Sequence, residues 1–232
     1  MTLPVVNGIL TLIVFLPLAG AVAIALFARR EHNIRYIAAA VVIFNLLLSL
    51  WAWASFDSGV AGPQHVDQFQ WIPAINAEYF LGVDGLSLPM VLLTTLLGMA
   101  AVYASWHITT RVREYFIWLL VLQTGLLGVF CSLDFLLFFL FWELELVPMY
   151  LLISIWGTGR REHSAMKFVI FTILGGAMLL VALLILRFST GSFDIMELVA
   201  MGQRGDISTI AFSLQGVYLL LFLGFAIKLP LV

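Results

Sequence analysis

Charge is scarce in this 232-residue chain: acidic and basic residues make up 10% of it, and the formal net charge at neutral pH is −2. An ordinary soluble domain is about a quarter charged. With 63% hydrophobic residues there is too little polar surface to coat a soluble globule, so the composition points to a polytopic membrane protein in a lipid bilayer. The lack of a basic excess leaves no electrostatic field for nucleic acid, and none is expected as a partner. A single cysteine, Cys131, excludes an internal disulfide framework and any multi-cysteine zinc or iron–sulfur site. It lies between apolar runs and reads as a buried small hydrophobe. Also missing are a phosphate-binding glycine loop, a dinucleotide fingerprint, an H-E-x-x-H pattern, an internal repeat and a low-complexity tract. The first apolar run has no basic region before it and no small-residue cleavage site after it, so it reads as a retained helix and not a signal peptide.

Long apolar runs are abundant. A bilayer-spanning helix needs about 20 mostly apolar residues. Seven stretches qualify: Leu3 to Ala28, Ile34 to Ser55, Leu86 to His107, Tyr115 to Cys131, Phe135 to Trp156, Phe168 to Leu186 and Ile210 to Val232. The expected fold is therefore all-α, with about seven transmembrane helices. Alternate connections carry Arg29, Arg30, Arg35, Arg111, Arg113, Arg160, Arg161 and Lys167, which are 8 of the 11 Lys and Arg residues. The opposite loops carry Asp57, Asp67, Glu78, Asp84, Asp134, Asp194, Glu197 and Asp206, with Arg187 and Arg204 as their only bases. Lys and Arg stay on the cytoplasmic side of short loops, which places the N-terminus outside, in the periplasm of a bacterium whose inner membrane holds the chain. The longest connection, from about Phe56 to Gly85, has no clear helical period. Its apolar residues suggest a loop folded onto the membrane surface. Phe193 to Met201 reads as a short interfacial helix.

Among the 24 acidic and basic residues, nearly all fall in loops or within a turn of a span end. Glu143, Glu145 and Lys228 do not. An ionisable side chain at mid-bilayer costs about 2.5–3.5 kcal/mol on insertion scales, and such residues mark ion or proton paths more often than simple buried pairs. Glu143 lies about 12 Å along its span, near the middle of the bilayer. Glu143 and Glu145 are two positions apart, so they point about 200° from each other and are expected to face different partners. Pro148 cannot donate to the Leu144 carbonyl, which predicts a kink there. Lys228 precedes Pro230, which predicts a helix break just past the lysine. By depth alone, Lys228 could instead snorkel to the surface. The expectation is that Glu143 and Lys228 share an interior cavity, while Glu145 plays a secondary part. His32, His107 and His163 read as solvated interface residues. Gln123 and Thr124 read as groups that hydrogen-bond to a neighbouring helix or line a water path, and Gly175-Gly176 as a site of close helix packing.

Three strings carry a resemblance: Gly82-Val83-Asp84-Gly85-Leu86-Ser87-Leu88-Pro89; Phe141-Trp142-Glu143-Leu144-Glu145-Leu146-Val147-Pro148-Met149-Tyr150; and Phe225-Ala226-Ile227-Lys228-Leu229-Pro230. They resemble the antiporter-like chain M, or subunit four, family of proton-pumping NADH:quinone oxidoreductase, respiratory complex I. The likeness runs from about Tyr79 onward, and residues 1–78 match in hydropathy only. It divides the chain into an N-terminal two-helix region with its outward loop (1–78) and an antiporter-like proton-translocating domain (79–232). The resemblance implies an inverted-repeat fold with a broken seventh helix. It also implies that Glu143 and Lys228 modulate and relay protons, and that Glu145 occupies a position not acidic in every member. It implies no cofactor in this chain; NADH, FMN, iron–sulfur clusters and quinone belong to other subunits. The implied partners are the other membrane-arm subunits, sister antiporter-like chains among them. Members continue for about as many residues again, so this chain reads as the N-terminal part of such a subunit, not expected to translocate protons alone. A chain of a multisubunit cation/proton antiporter is the alternative, followed by one of a membrane-bound hydrogenase.

Overall fold

The computed structural model describes residues 5–207 and 213–229. The expected start of the seventh span at Ile210 and the expected break at Pro230 lie outside these residues. In chain order the elements are β1 (Val5–Val6), α1 (Ile9–Phe27), α2 (Glu31–Ala54), β2 (Gln64–Ile72), β3 (Ala77–Val83), α3 (Ser87–Ala104), α4 (Val112–Cys131), α5 (Phe135–Leu144), α6 (Leu146–Trp156), α7 (Arg161–Thr190), α8 (Ile195–Arg204) and α9 (Leu214–Lys228). Six segments are long and apolar enough to cross a bilayer, counting α5 and α6 together as Phe135–Trp156. The seventh, α9, is shorter at 15 residues. The chain is an integral membrane protein of mostly helical fold.

Two stretches differ from the sequence expectation. The expected start of the first run at Leu3 lies outside the described residues; within them β1 precedes α1, which starts at Ile9. The connection read as an irregular loop contains β2 and β3, which pair antiparallel, with β1 on the outer edge of β2. Its polar residues alternate poorly because the register shifts on both sides of Asp67–Gln70. Such bulges hide the period of two that marks a strand in sequence. The interfacial helix is present as α8, capped at its N-terminus by the Asp194 carboxylate on the Met196 and Glu197 amides.

The two ends of the bundle are chemically different. At one end the sheet, the start of α5 and the start of α8 are stitched together. Leu133 N–H donates to Phe80 O, Phe135 N–H to Phe193 O, and Arg187 to Ile75 O. At the other end the basic connections meet. Arg113 donates to Ala25 O, Arg35 to Ile108 O at 2.9 Å, and the Trp156 indole to Thr110 O at 2.7 Å. Between the ends, Leu10, Ile13 and Val14 of α1 pack with Leu81, Val91, Leu127 and Phe141 in one buried cluster. The N-terminal helix therefore shares its core with α4 and α5.

Asp67 anchors α1 to the sheet. It is fully buried and accepts from Gly8 N–H at 2.5 Å, Thr11 N–H at 3.0 Å and the Thr11 hydroxyl at 2.8 Å. These amides open α1, where no helical acceptor exists for them. The Thr11 hydroxyl also accepts from Tyr79, whose own pKa burial pushes up to about 12, so it remains a donor at physiological pH. Replacing Asp67 by alanine orphans all three donors and should cost about 2 kcal/mol or more, the upper range for a lost cap. Hydrogen exchange at the Gly8 and Thr11 amides checks this; unchanged protection would refute it.

Asp134 holds the other junction. It is 2% exposed, caps α5 through Leu137 N–H at 2.9 Å and accepts from Glu78 N–H at 3.1 Å. Burial raises its pKa, against the lowering effect of the Leu137 and Glu78 amides. Asp194, its bridge partner in an isolated antiparallel pair, is raised for the same first reason. A raised carboxyl pKa means that the folded state binds the proton more tightly than the unfolded chain does. The two groups therefore stabilise the junction most below the ordinary value of 3.8. That contribution fades as pH rises through the raised folded pKa. Amide exchange near Phe135 and Ile195 should speed up across that window, once corrected for intrinsic rates. Asp134→Asn should flatten the response; a flat profile in the unaltered chain would refute the linkage.

Candidate functional site

Pro148 creates the local geometry. It has no N–H to donate to Leu144 O, so the fifth span divides: α5 ends at Leu144 and α6 begins at Leu146. Glu145 sits at the division, its amide turned to the Glu143 carbonyl. The kink read from the sequence is a one-residue interruption at Glu145, whose own φ and ψ, −66° and −24°, stay helical.

Lys228, at the C-terminal end of α9, reaches this interruption. Its Nζ donates to Trp142 O at 2.6 Å and lies 3.1 Å from Glu145 Oε2. It also stands 3.9 Å from the centroid of the Trp142 ring. The ammonium thus meets three kinds of negative partner: a carboxylate, an aromatic face, and a carbonyl at the C-terminal, partly negative end of α5. The Trp142 ring is held by Phe138, stacked at 5.4 Å, and by Phe225, edge-on at 5.2 Å. The Lys228 and Glu145 side chains are 18% and 11% exposed, so the pair is largely removed from surroundings. Lys228 does not snorkel; it points into the bundle.

Glu145 lies between α4 and α9. Gly125 of α4 leaves room for its side chain, since a Cβ there would crowd Glu145 Cγ. Glu143 turns instead toward α7, where Gly176 leaves room for its carboxyl group. Its Oε1 is buried and has no hydrogen-bond partner among the described residues. The two carboxylates diverge, as their spacing requires, but the lysine's partner is not the one expected. The sequence reading assigned Lys228 to Glu143; the structure pairs it with Glu145. The spacing sets the divergence of the two carboxylates but not which neighbouring helix each one meets, and Lys228 of α9 lies beside Glu145. The ammonium is drawn to the carbonyl end of α5 beside the interruption.

Trp142 was not singled out from the sequence. Its place immediately before Glu143 in the motif was the signal, because a helix break two or three residues later frees that turn's carbonyls. Thr124 donates to Leu120 O within its own helix. Gln123 is buried against Gly98, and its amide nitrogen has no partner among the described residues. The arrangement places a lysine in direct contact with one buried carboxyl group, two residues from a second that is partly buried.

Residues 132–232 match the family described as NADH:quinone oxidoreductase/Mrp antiporter, TM. The chain is 37% identical over 237 residues to NADH-quinone oxidoreductase subunit M of Rhodobacter capsulatus, an alignment covering 97% of this chain and 46% of that one. It is 42% identical over 193 residues to NAD(P)H-quinone oxidoreductase chain 4 1 of Synechococcus elongatus, covering 82% and 36%. A chain in the solved respiratory complex I from Thermus thermophilus with bound NADH superposes with a TM-score of 0.81 at 25% identity, covering 96% of this chain and 44% of that chain. The chain spans less than half the length of these relatives. The sequence reading confined the likeness to about Tyr79 onward; the alignment covers 97% of the chain and so reaches into residues 1–78.

Proposed function

This chain belongs to the antiporter-like membrane-subunit family that NADH:quinone oxidoreductase shares with Mrp antiporters, and from that premise we propose that it works in the membrane arm of a redox-driven proton pump. In this reading Lys228 is the central proton carrier of the half-channel formed by α4 to α9. With its proton, it is held by Glu145 and the Trp142 carbonyl. When that contact loosens, the proton moves on, and Glu143 is the second carboxyl group that receives or supplies it. The single observation that carries the reading is the pairing of Lys228 with a carboxylate at a helix break, two residues from a second carboxyl group whose buried oxygen is unpartnered. A buried ion pair that served structure alone would not need that second group.

A conformational change transmitted from partner subunits would act by altering the Lys228–Glu145 contact, a two-state element that both ends can bias. The flavin, iron–sulfur clusters, NADH and quinone sites are assigned to those partners, and sister antiporter-like chains are the neighbours along the arm. The acidic end of the bundle, with the N-terminus, faces the periplasm, and the basic end faces the cytoplasm of a bacterial inner membrane.

The test uses an affinity tag on this chain in its native membrane. Co-purification of flavin- and iron–sulfur-containing subunits is expected, with NADH-driven acidification of proteoliposomes that an uncoupler collapses. Sodium–proton exchange without NADH oxidation would overturn the redox reading and select the cation/proton antiporter alternative.

A further inference from the structure

Gly175 and Gly176 are consecutive on α7, so their bare faces point about 100° apart, toward different neighbours. A Cβ on Gly175 would stand 3.2 Å from Gly224 O and from Ile227 of α9, and a Cβ on Gly224 would stand 3.0 Å from Gly175 O. The two helices therefore touch backbone to backbone at this level. Gly224 lies one turn before Lys228, so this contact sets the depth of the lysine. A Cβ on Gly176 would overlap the Glu143 carboxyl group, its nearest atom being Oε1, the same oxygen that is buried and unpartnered. In an ordinary helix alanine is preferred over glycine, because glycine adds backbone entropy and offers no side chain. Here that preference is overridden at two adjacent positions, and each opening is filled by an element that carries one member of the proton path.

We infer that Gly176 is a positioning residue for Glu143: the missing side chain is the recess that holds the carboxyl group between α5 and α7. Gly175, through Gly224, does the corresponding work for Lys228. This rests on the proton path proposed above, but the steric relation between Gly176 and Glu143 can be tested separately from proton translocation.

The experiment is Gly176→Ala in the assembled membrane complex. The added methyl group evicts the Glu143 carboxyl group, and proton translocation should fall by about 100-fold, the scale of an ångström-level misplacement of a reacting group. Glu143→Asp alone withdraws the carboxyl group by one methylene and should also be impaired. Combined with Gly176→Ala, it should recover most of the activity. A merely structural glycine would show no such rescue. Independently of activity, the infrared carboxyl band that Glu143→Gln removes should shift in Gly176→Ala. An unmoved band, or no rescue by the double variant, would overturn the inference. If Gly176→Ala does not assemble, Gly176→Ala with Glu143→Ala decides. Restored assembly supports the clash with Glu143, and continued failure assigns Gly176 to helix packing alone. Should Glu143→Gln translocate protons normally, the proton path is wrong while the band shift still reports on positioning.

Discussion

Glu143→Gln should leave the membrane complex assembled and lower coupled proton translocation by about 100-fold, the lower range of what a positioned proton-transfer group contributes. Glutamine keeps the volume and one carbonyl-type oxygen, so the recess at Gly176 stays filled and α5 keeps its packing on α7. What disappears is the exchangeable proton. Glu143 Oε1 has no hydrogen-bond partner among the described residues, so the substitution breaks no resolved contact and the loss falls on function, not on folding. NADH-driven proton uptake, measured beside the amount of assembled complex, checks this. Normal translocation in the variant would remove Glu143 from the path.

Lys228 and Glu145 should prove strongly coupled in a double-mutant cycle, and Lys228 and Glu143 weakly. Removing either member of a buried ion pair leaves the other uncompensated and costs about 3–5 kcal/mol. Lys228→Met alone strands the Glu145 carboxylate, which is 11% exposed; Glu145→Gln alone strands the ammonium. The double variant strands neither, so its cost should fall short of the sum by about 1–3 kcal/mol, a coupling typical of residues in direct contact. Thermal unfolding of the purified complex in lipid nanodiscs gives the four corners of the cycle. Additive effects would mean that the pair contributes little. A larger coupling for Glu143 than for Glu145 would restore the pairing expected from the sequence. The Trp142 carbonyl remains as a partner for the ammonium in Glu145→Gln, so that single variant should be the milder of the two.

Long-range order was legible wherever a solvent boundary dictates it. Apolar runs of bilayer length must be helices, because only helices satisfy every backbone group within lipid without a partner strand. The alternation of basic and acidic connections was readable too, and the structure gathers each kind at its own end of the bundle, Arg113 near Ala25 and Asp134 near Glu78. Glu143, Glu145 and Lys228 stood out for the same reason: ionisable groups inside apolar runs are costly and need partners. The sheet was not legible. β3 is buried along nearly its whole length, and bulges shift the register of β2, so neither strand shows the alternation by which a strand is recognised.

Which carboxylate meets the lysine was decided by tertiary structure alone. Sequence spacing sets the angle between Glu143 and Glu145, and the two carboxyl groups do diverge. From there the outcome depends on which helix lies beside each carboxyl group. Gly125 of α4 admits Glu145, Gly176 of α7 admits Glu143, and the Gly175–Gly224 contact brings α9 to the depth at which Lys228 touches Trp142 O and Glu145. Sequence by itself determined that three charges interrupt apolar runs and that a proline follows two of them within a turn. The partners of those charges followed from helix contacts between residues far apart in the chain, where a missing side chain on one helix makes the space that a carboxyl group on another occupies.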